Sequence, residues 1–240
     1  MRILITGATG FVGGALVRNL LSNTTHEIVA SVRKKSLDLE RITKCVQVTD
    51  LDKNTNWSEA LSDVDVVIHL SARVHVMDEG TEDELAEFRK TNVLGSLALA
   101  KQSANAGVKR FIFISSIKAM GEENITKIFS VDDICNPTTP YGISKYEAEQ
   151  GLKKIAQETG MELVIIRPPL VYGNNAKGNF VAILKLIDLG IPLPFASLHN
   201  KRSLVSIDNL VNLITICITH EKAANQTFLV SDGIDLSSAD

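Results

Sequence analysis

Cysteine is scarce in this 240-residue chain, with three residues at Cys45, Cys135 and Cys217. They form no Cys-x-x-Cys pair and no metal-ligand spacing. That excludes a disulfide framework and a structural zinc site, and it points to a reducing compartment; no metal is expected. No apolar run reaches the ~18 residues that a membrane-spanning helix requires. The opening residues Met1-Arg2-Ile3-Leu4-Ile5 run straight into a glycine-rich turn and read as a strand, not as a secretion signal. Neither sign of charge dominates, since 25 basic against 28 acidic side chains leave −3, so the basic footprint of a nucleic-acid-binding protein is missing. Any anionic ligand must therefore be held by local geometry. Internal repeats, low-complexity tracts and charge blocks are absent as well. The expected setting is the cytoplasm, with neither nucleic acid nor membrane as partner.

What is present is an ordinary globular composition, 45% hydrophobic and 22% charged, long enough for one large domain or one and a half. Short apolar runs at Arg2–Ile5, Glu27–Val32, Cys45–Val48, Val64–Leu70, Arg110–Ser115 and Leu163–Arg167 read as strands. Between them lie amphipathic stretches at Val12–Leu21, Glu82–Ala106 and Tyr141–Glu158. Strands apolar at consecutive positions are buried on both faces, and their alternation with helices implies βαβ units. The predicted fold is a Rossmann-type, doubly wound, mostly parallel α/β sheet that binds ligands at the carboxyl ends of its strands. The texture changes after Arg167-Pro168-Pro169, which divides a dinucleotide-binding domain (1–167) from a small substrate cap (168–240) with some segments returning to the core. Helices are expected in that later part near Phe180–Leu189 and over Asp208–His220.

The strongest local motif is Thr6-Gly7-Ala8-Thr9-Gly10-Phe11-Val12-Gly13-Gly14, directly after the first strand and opening a helix. That is the context of a dinucleotide-binding turn. Gly7 permits the tight turn, Gly10 lets the backbone approach a pyrophosphate, and Gly13 allows close helix–sheet packing. Thr9, Phe11 and Val12 complete the turn, and the first N–H groups of the helix supply donors and partial positive charge. An NAD-selective enzyme usually has an acid at the end of its second strand to bind the ribose hydroxyls. Here Arg33-Lys34-Lys35 follows instead, which suits a 2′-phosphate and tilts the expected cofactor, NAD or NADP, toward NADP. The second strong motif is Tyr141-Gly142-Ile143-Ser144-Lys145. Positions four apart share a helix face, so the ammonium of Lys145 lies near the phenol of Tyr141 and is expected to draw it from its ordinary pKa of about 10 toward the working range of a base.

Glycines spaced Gly-x-x-Gly-x-x-Gly, together with the Tyr-x-x-x-Lys pair, make the chain resemble the extended short-chain dehydrogenase/reductase family of the NAD-dependent epimerase/dehydratase type. The resemblance runs from Met1 to about Ser237 and implies further roles. Thr49-Asp50-Leu51 resembles the adenine pocket, with Asp50 accepting from the adenine amine and Leu51 packing on the ring. Leu70-Ser71-Ala72 resembles a stretch along the cofactor. Asn92, in Asn-Val-Leu-Gly, matches an asparagine that braces the central strands and belongs with the cofactor residues. Ser116, of the pair Ser115-Ser116, falls at the catalytic hydroxyl position, with Ser115 beside the cofactor. Pro168 lies in Arg-Pro-Pro-Leu-Val-Tyr-Gly, a segment at the nicotinamide edge. Asn179 and Arg202 match substrate contacts, the latter a clamp for a diphosphate.

Lys118 stands where dehydratases of the family carry an acid, which excludes elimination of water and makes Lys118 a substrate contact. The resemblance thus implies a homodimeric NAD(P)-dependent enzyme on a nucleotide-diphospho-sugar, of a type found in bacterial surface-polysaccharide synthesis. Its catalytic set is Ser116, Tyr141 and Lys145, of which Tyr141 and Lys145 also count as cofactor contacts, the lysine at the nicotinamide ribose. Two chemistries fit, a UDP-hexose 4-epimerase, taken first as the commoner, and a reductase of a nucleotide 4-keto-sugar. A non-catalytic dinucleotide sensor is the third reading, opposed by the intact Tyr141 and Lys145. Family members are usually longer, and Ser237-Ser238-Ala239-Asp240 reads as a helix cap with no helix behind it. The sugar-binding half is therefore expected to end early.

Overall fold

Runs of β-branched and aliphatic residues build the centre of the protein. In the computed structural model, which describes residues 1–48, 50–74, 83–122, 128–174, 176, 188–189 and 200–237, these runs are β1 (Arg2–Thr6), β2 (Glu27–Val32), β3 (Lys44–Gln47), β4 (Val66–His69), β5 (Arg110–Ile114) and β6 (Glu162–Arg167). With β9 (Thr227–Leu229) they form one sheet in the order β3-β2-β1-β4-β5-β6-β9, every neighbouring pair parallel. Alternate residues of each strand serve opposite faces. Ile3, Ile5, Ile112, Ile114, Val164 and Ile166 join one core with Leu16 and Leu20 of α1 (Phe11–Asn23) and Leu210 and Ile214 of α6 (Ile207–Thr219). Leu4, Phe111, Phe113, Leu163 and Ile165 join another with Leu99 of α4 (Ser96–Asn105) and Leu152 of α5 (Pro140–Thr159). Helices thus cover both faces, the arrangement that continuous apolar strands demand.

The first strand pairs register Thr6 beside His69, and His69 beside Phe113, at the carboxyl ends of β1, β4 and β5. There β4 stops short of the expected Leu70, because the Leu70 and Ser71 N–H groups turn to donate to Thr6 Oγ1 at 3.2 and 3.1 Å. The single helix expected up to Ala106 is divided in the described residues into α3 (Glu84–Phe88), a π-helical segment Arg89–Gly95 and α4; Glu82 lies outside them. The short α2 (Leu37–Glu40) follows the basic turn after β2.

After Arg167 a small sheet forms from β7 (Leu170–Tyr172), β8 (Arg202–Ser206) and β10 (Asp235–Leu236), in the order β10-β8-β7. The later described residues return to the core to a greater extent than a cap would. The buried side of α6 lies against α1, and β9 extends the main sheet beside β6. The greater part of the helix expected near Phe180–Leu189, and the residues after Ser237, lie outside the described residues. Among the described residues no helix is long and apolar enough to cross a membrane, and no cluster of His, Cys, Asp and Glu is arranged to hold a metal.

Candidate active site

The glycine turn closes on itself at the end of β1. Gly7 has φ +71°, a conformation that favours glycine, and its carbonyl accepts the Gly10 N–H at 2.9 Å. A Cβ on Gly13 would stand 2.1 Å from that same carbonyl, so Gly13 is needed for the turn itself as well as for packing. A Cβ on Gly7 would meet the backbone of Leu70 and Ser71 at 3.0 Å, which seats the turn on the exit of β4. The N-cap residue of α1 is Gly10, with no side-chain cap and no acid in the first turn. Its leading N–H groups, from Phe11 and Val12 on, are therefore available to an anion, with Thr9 and Gly10 exposed beside them. This uncapped, glycine-lined helix start fits a dinucleotide pyrophosphate.

Around the turn, Arg33 is exposed at the end of β2, and no carboxylate stands at that strand end. Leu51 is half-buried, tight against the π segment, where a Cβ on Gly95 would lie 2.8 Å from Leu51 Cγ. Asp50 is exposed beside it, whereas Thr49 lies outside the described residues. Leu70 and Ala72 are half-buried along the β4 exit.

The sheet pattern continues past β5, since Ser115 N–H donates to the Ile166 carbonyl at 2.8 Å and Ile117 N–H to the Pro168 carbonyl at 2.9 Å. Ser116 is thereby held extended at the rim and caps the 3₁₀ turn Ile117–Ala119, its Oγ accepting from Lys118 N–H at 3.2 Å. The helix α5 begins with Thr139 as N-cap and Pro140 in its first turn. Its Gly142 has no room for a side chain, because a Cβ would meet the Lys118 carbonyl at 2.5 Å. That close approach sets the Ser116 hydroxyl near the Tyr141 phenol, close enough to act on its proton. The Phe88 ring meets Tyr141 edge-on, with centroids 5.9 Å apart.

Burial pushes the Tyr141 phenol up to about 12, and the Ser116 hydroxyl pulls it part of the way back. The expected lowering by Lys145 is not what the structure shows. Lys145 Nζ donates instead to the Ile114 carbonyl at 2.7 Å and sits 4.1 Å over the Phe113 ring. Burial pulls Lys145 down to about 7, against the opposing charge of Glu149. His69 stacks on the same Phe113 at 5.8 Å. Desolvation, and then the charge of Lys145, hold His69 down at about 3, so it is neutral. Thr6 Oγ1 already accepts two N–H groups, so its proton goes to His69 Nδ1 at 2.7 Å, which assigns the ring hydrogen to Nε2 toward Ser96 Oγ at 2.8 Å.

Two braces lie behind these groups. Asn92 spends its amide within the protein: Oδ1 accepts from Arg73 N–H at 2.8 Å, and Nδ2 donates to the Arg73 carbonyl and to Ser144 Oγ at 3.0 Å each. Ser144 Oγ in turn donates to the Tyr141 carbonyl at 2.7 Å. Asn92 therefore acts as a brace and has no free amide for a cofactor. Ser115 likewise turns its hydroxyl inward, donating to Glu149 Oε1 at 2.5 Å, so only its backbone faces the rim. Arg167 donates to both oxygens of Glu149, from Nε at 3.0 Å and from Nη2 at 2.5 Å.

Sequence reasoning missed Gly142, Glu149 and Arg167 as parts of this assembly. The available signal for Glu149 was its place one turn after Lys145, on the buried side of α5. Of the expected substrate contacts, Lys118 pairs with Glu122 at 3.3 Å, Arg202 opens β8 with an exposed side chain, and Asn179 lies outside the described residues. A separate cavity of about 270 Å³, lined by Lys153, Gln157, Met161 and Asn225, sits at the amino ends of β6 and β9, away from the catalytic candidates.

Comparison with known proteins bears on this assembly. Residues 3–231 match the sequence model of the NAD dependent epimerase/dehydratase family. A UDP-glucose 4-epimerase of Vibrio cholerae is 47% identical over 240 residues, covering 99% of this chain and 73% of that relative. The crystal structure of UDP-glucose 4-epimerase with UDP-glucose from Thermotoga maritima superposes with a TM-score of 0.81 at 29% identity, covering 99% of this chain and 79% of that one. MoeE5 in complex with UDP-glucose and NAD gives a TM-score of 0.81 at 25% identity, covering 99% and 78% respectively.

Proposed function

The chain belongs to the NAD dependent epimerase/dehydratase family, and from that membership we propose that it is an NAD(P)-dependent nucleotide-sugar 4-epimerase acting on a UDP-hexose. The observation that carries the reading is the placing of Ser116 near Tyr141 at the carboxyl edge of the sheet, beside the uncapped start of α1. The N–H groups from Phe11 onward hold the pyrophosphate, Gly10 and Thr9 border it, and Asp50 and Leu51 receive the adenine. Pro168, with the backbone of Leu70 and Ala72, lines the remaining edge. When bound, the cofactor supplies a hydride acceptor and a positive charge. Exposed Arg33 and the missing acid after β2 support NADP, whereas the relative MoeE5 is complexed with NAD.

The protein's own residues manage the proton. Burial keeps Tyr141 a neutral phenol in this structure; once it has released its own proton to solvent, the phenolate takes up the proton of the sugar 4-hydroxyl, with Ser116 beside the phenol oxygen. Lys145, held by the Ile114 carbonyl and the Phe113 ring, supplies a buried cation one helical turn behind the phenol. Returning the proton after the sugar presents its other face completes an epimerisation without net redox change. Arg202 meets the diphosphate, and Lys118, paired with Glu122, borders the sugar. The stretch from 168 onward supplies this substrate side, apart from α6 and β9.

Incubation of the chain with UDP-glucose and either NAD or NADP, followed by chromatographic separation of the epimers, tests this. The expected outcome is epimerised sugar with no net change in reduced-nicotinamide absorbance. Tyr141→Phe should lower turnover by roughly 10²–10⁴-fold with cofactor affinity preserved. Cofactor binding without any sugar turnover, or full activity in Tyr141→Phe, refutes the assignment.

A further inference from the structure

Glu149 is 0% exposed, in the company of two equally hidden cations, Arg167 at 3% and Lys145 at 2%. It follows Lys145 by one helical turn, so the two side chains leave the same face of α5. Its carboxylate gathers two strand ends. Ser115, next to Ser116, donates to it from the exit of β5, and Arg167 grips both of its oxygens from the exit of β6. The residue after Arg167 is Pro168, whose carbonyl holds the Ile117 N–H just past Ser116. A buried ion pair contributes little net stability against an apolar replacement, because desolvation offsets the attraction. Its presence at this junction calls for another account.

The groups facing Lys145 supply one. Along α5 they are Tyr141 and Glu149. From β4 comes His69, held neutral, and from β5 the Ile114 carbonyl and the Phe113 ring. From β6 comes Arg167, across Glu149, with the Cys135 thiol beside it. Among these described neighbours Glu149 is the carboxylate. We propose that Glu149 is a positioning residue for the reaction, acting as the buried counter-charge that keeps the Lys145 ammonium charged while its grip on Ser115 and Arg167 fixes the Ser116 strand end against α5. Burial works against the charged lysine and Glu149 opposes it, in keeping with this role. The proposal rests on the reading that Tyr141 and Lys145 carry the chemistry.

The test follows Lys145 itself, by NMR of the full chain labelled with ¹³C-lysine, its Cε resonance assigned by its loss in Lys145→Arg. In the wild type the midpoint should lie well below the ordinary 10.5, near 7. In Glu149→Gln, which preserves shape but removes the charge, it should drop by about one unit or more, and Glu149→Asp should restore most of the drop. In Arg167→Met, which leaves Glu149 without its other cation, the midpoint should rise. The alkaline limb of kcat for epimerisation should move in the same direction as each midpoint, with KM for the sugar changed less than kcat.

A wild-type midpoint well below 7, which would leave Lys145 uncharged at working pH, overturns the proposal even if no variant folds. So does an unchanged midpoint in Glu149→Gln with native circular dichroism. Midpoints that move as stated in a chain that turns over no sugar sustain Glu149's role and refute the epimerase reading. Turnover with an unresponsive Lys145 does the reverse.

Discussion

At the scale of the residue, His69 shows how burial sets charge. Both ring nitrogens are bonded, to Thr6 and to Ser96, and the ring stacks on Phe113, over which the Lys145 ammonium also sits. Its pKa falls from 6.5 in the unfolded chain to about 3 in the fold. Below pH 6.5 the unfolded chain binds a proton that the folded one refuses, so stability is lost as pH falls from 6.5 toward 3 and is unaffected by this group above that window. The loss should approach about 1.4 kcal/mol per pH unit well inside the window. Thermal melts in pH steps should show it, and His69→Gln, less stable at neutral pH, should melt with a shallower acid dependence; an equal slope in both chains refutes the assignment. Tyr141 and Lys145 were legible in the sequence by their helical spacing, and Ser116 by the family resemblance alone. Glu149 was not, because a carboxylate one turn further along a helix ordinarily faces water, and only the arrival of Arg167 and Ser115 from two other strands makes it a buried partner. Nor was the aim of Lys145: spacing put the ammonium near the phenol, but the Ile114 carbonyl and Phe113 ring that draw it away come from β5.

At the scale of the element, the decisive contact is between the first turn of α5 and the 3₁₀ turn Ile117–Ala119. Gly142 permits it, with the Lys118 carbonyl at 2.5 Å from where a Cβ would stand. Gly142→Ala should force the two turns apart and move Ser116 away from Tyr141. We expect kcat to fall at least tenfold and stability by about 1–3 kcal/mol, the usual cost of overpacking, with cofactor affinity little changed because the glycine turn lies elsewhere. Steady-state kinetics beside a denaturant titration checks both; wild-type kcat in this variant refutes the account. The glycine in Tyr-Gly-Ile-Ser-Lys was visible in the sequence, but its neighbour was not, since the close approach is a property of two segments. Element boundaries were misread for similar reasons. β4 ends at His69 because Thr6 from β1 captures the next two N–H groups, and apolar periodicity cannot reveal that the stretch from Glu84 to Asn105 carries a π segment in its middle.

At the scale of the molecule, alternating strands and helices announced a parallel sheet with both faces covered, and the strands' consecutive apolar residues required it. The return of α6 and β9 to that sheet was less legible. The stripe of Ile207, Leu210, Val211, Ile214, Cys217 and Ile218 was readable as a buried face, but not that α1 would be its partner. From this layering follows an ordering of local stability. β1, β4 and β5, central in the sheet and covered on both sides, should exchange their amide hydrogens most slowly, close to the rate set by global unfolding. α2, which has no buried residue, and the exposed β10 should exchange fastest. Hydrogen exchange read by mass spectrometry resolves these segments, and early exchange in β4 or β5 would contradict the layered core.

The π segment Arg89–Gly95 has a meaning in descent. A π turn is a helical turn that carries one surplus residue, and such bulges are rare and frequently sit at functional sites. This one points Asn92 at Arg73 and Ser144 while setting Gly95 against Leu51. A lineage that deleted a single residue here would regain a regular helix and rotate one of those two contacts out of reach. The segment should therefore tolerate substitution at its exposed positions, such as Lys90 and Leu94, far better than any change in its length.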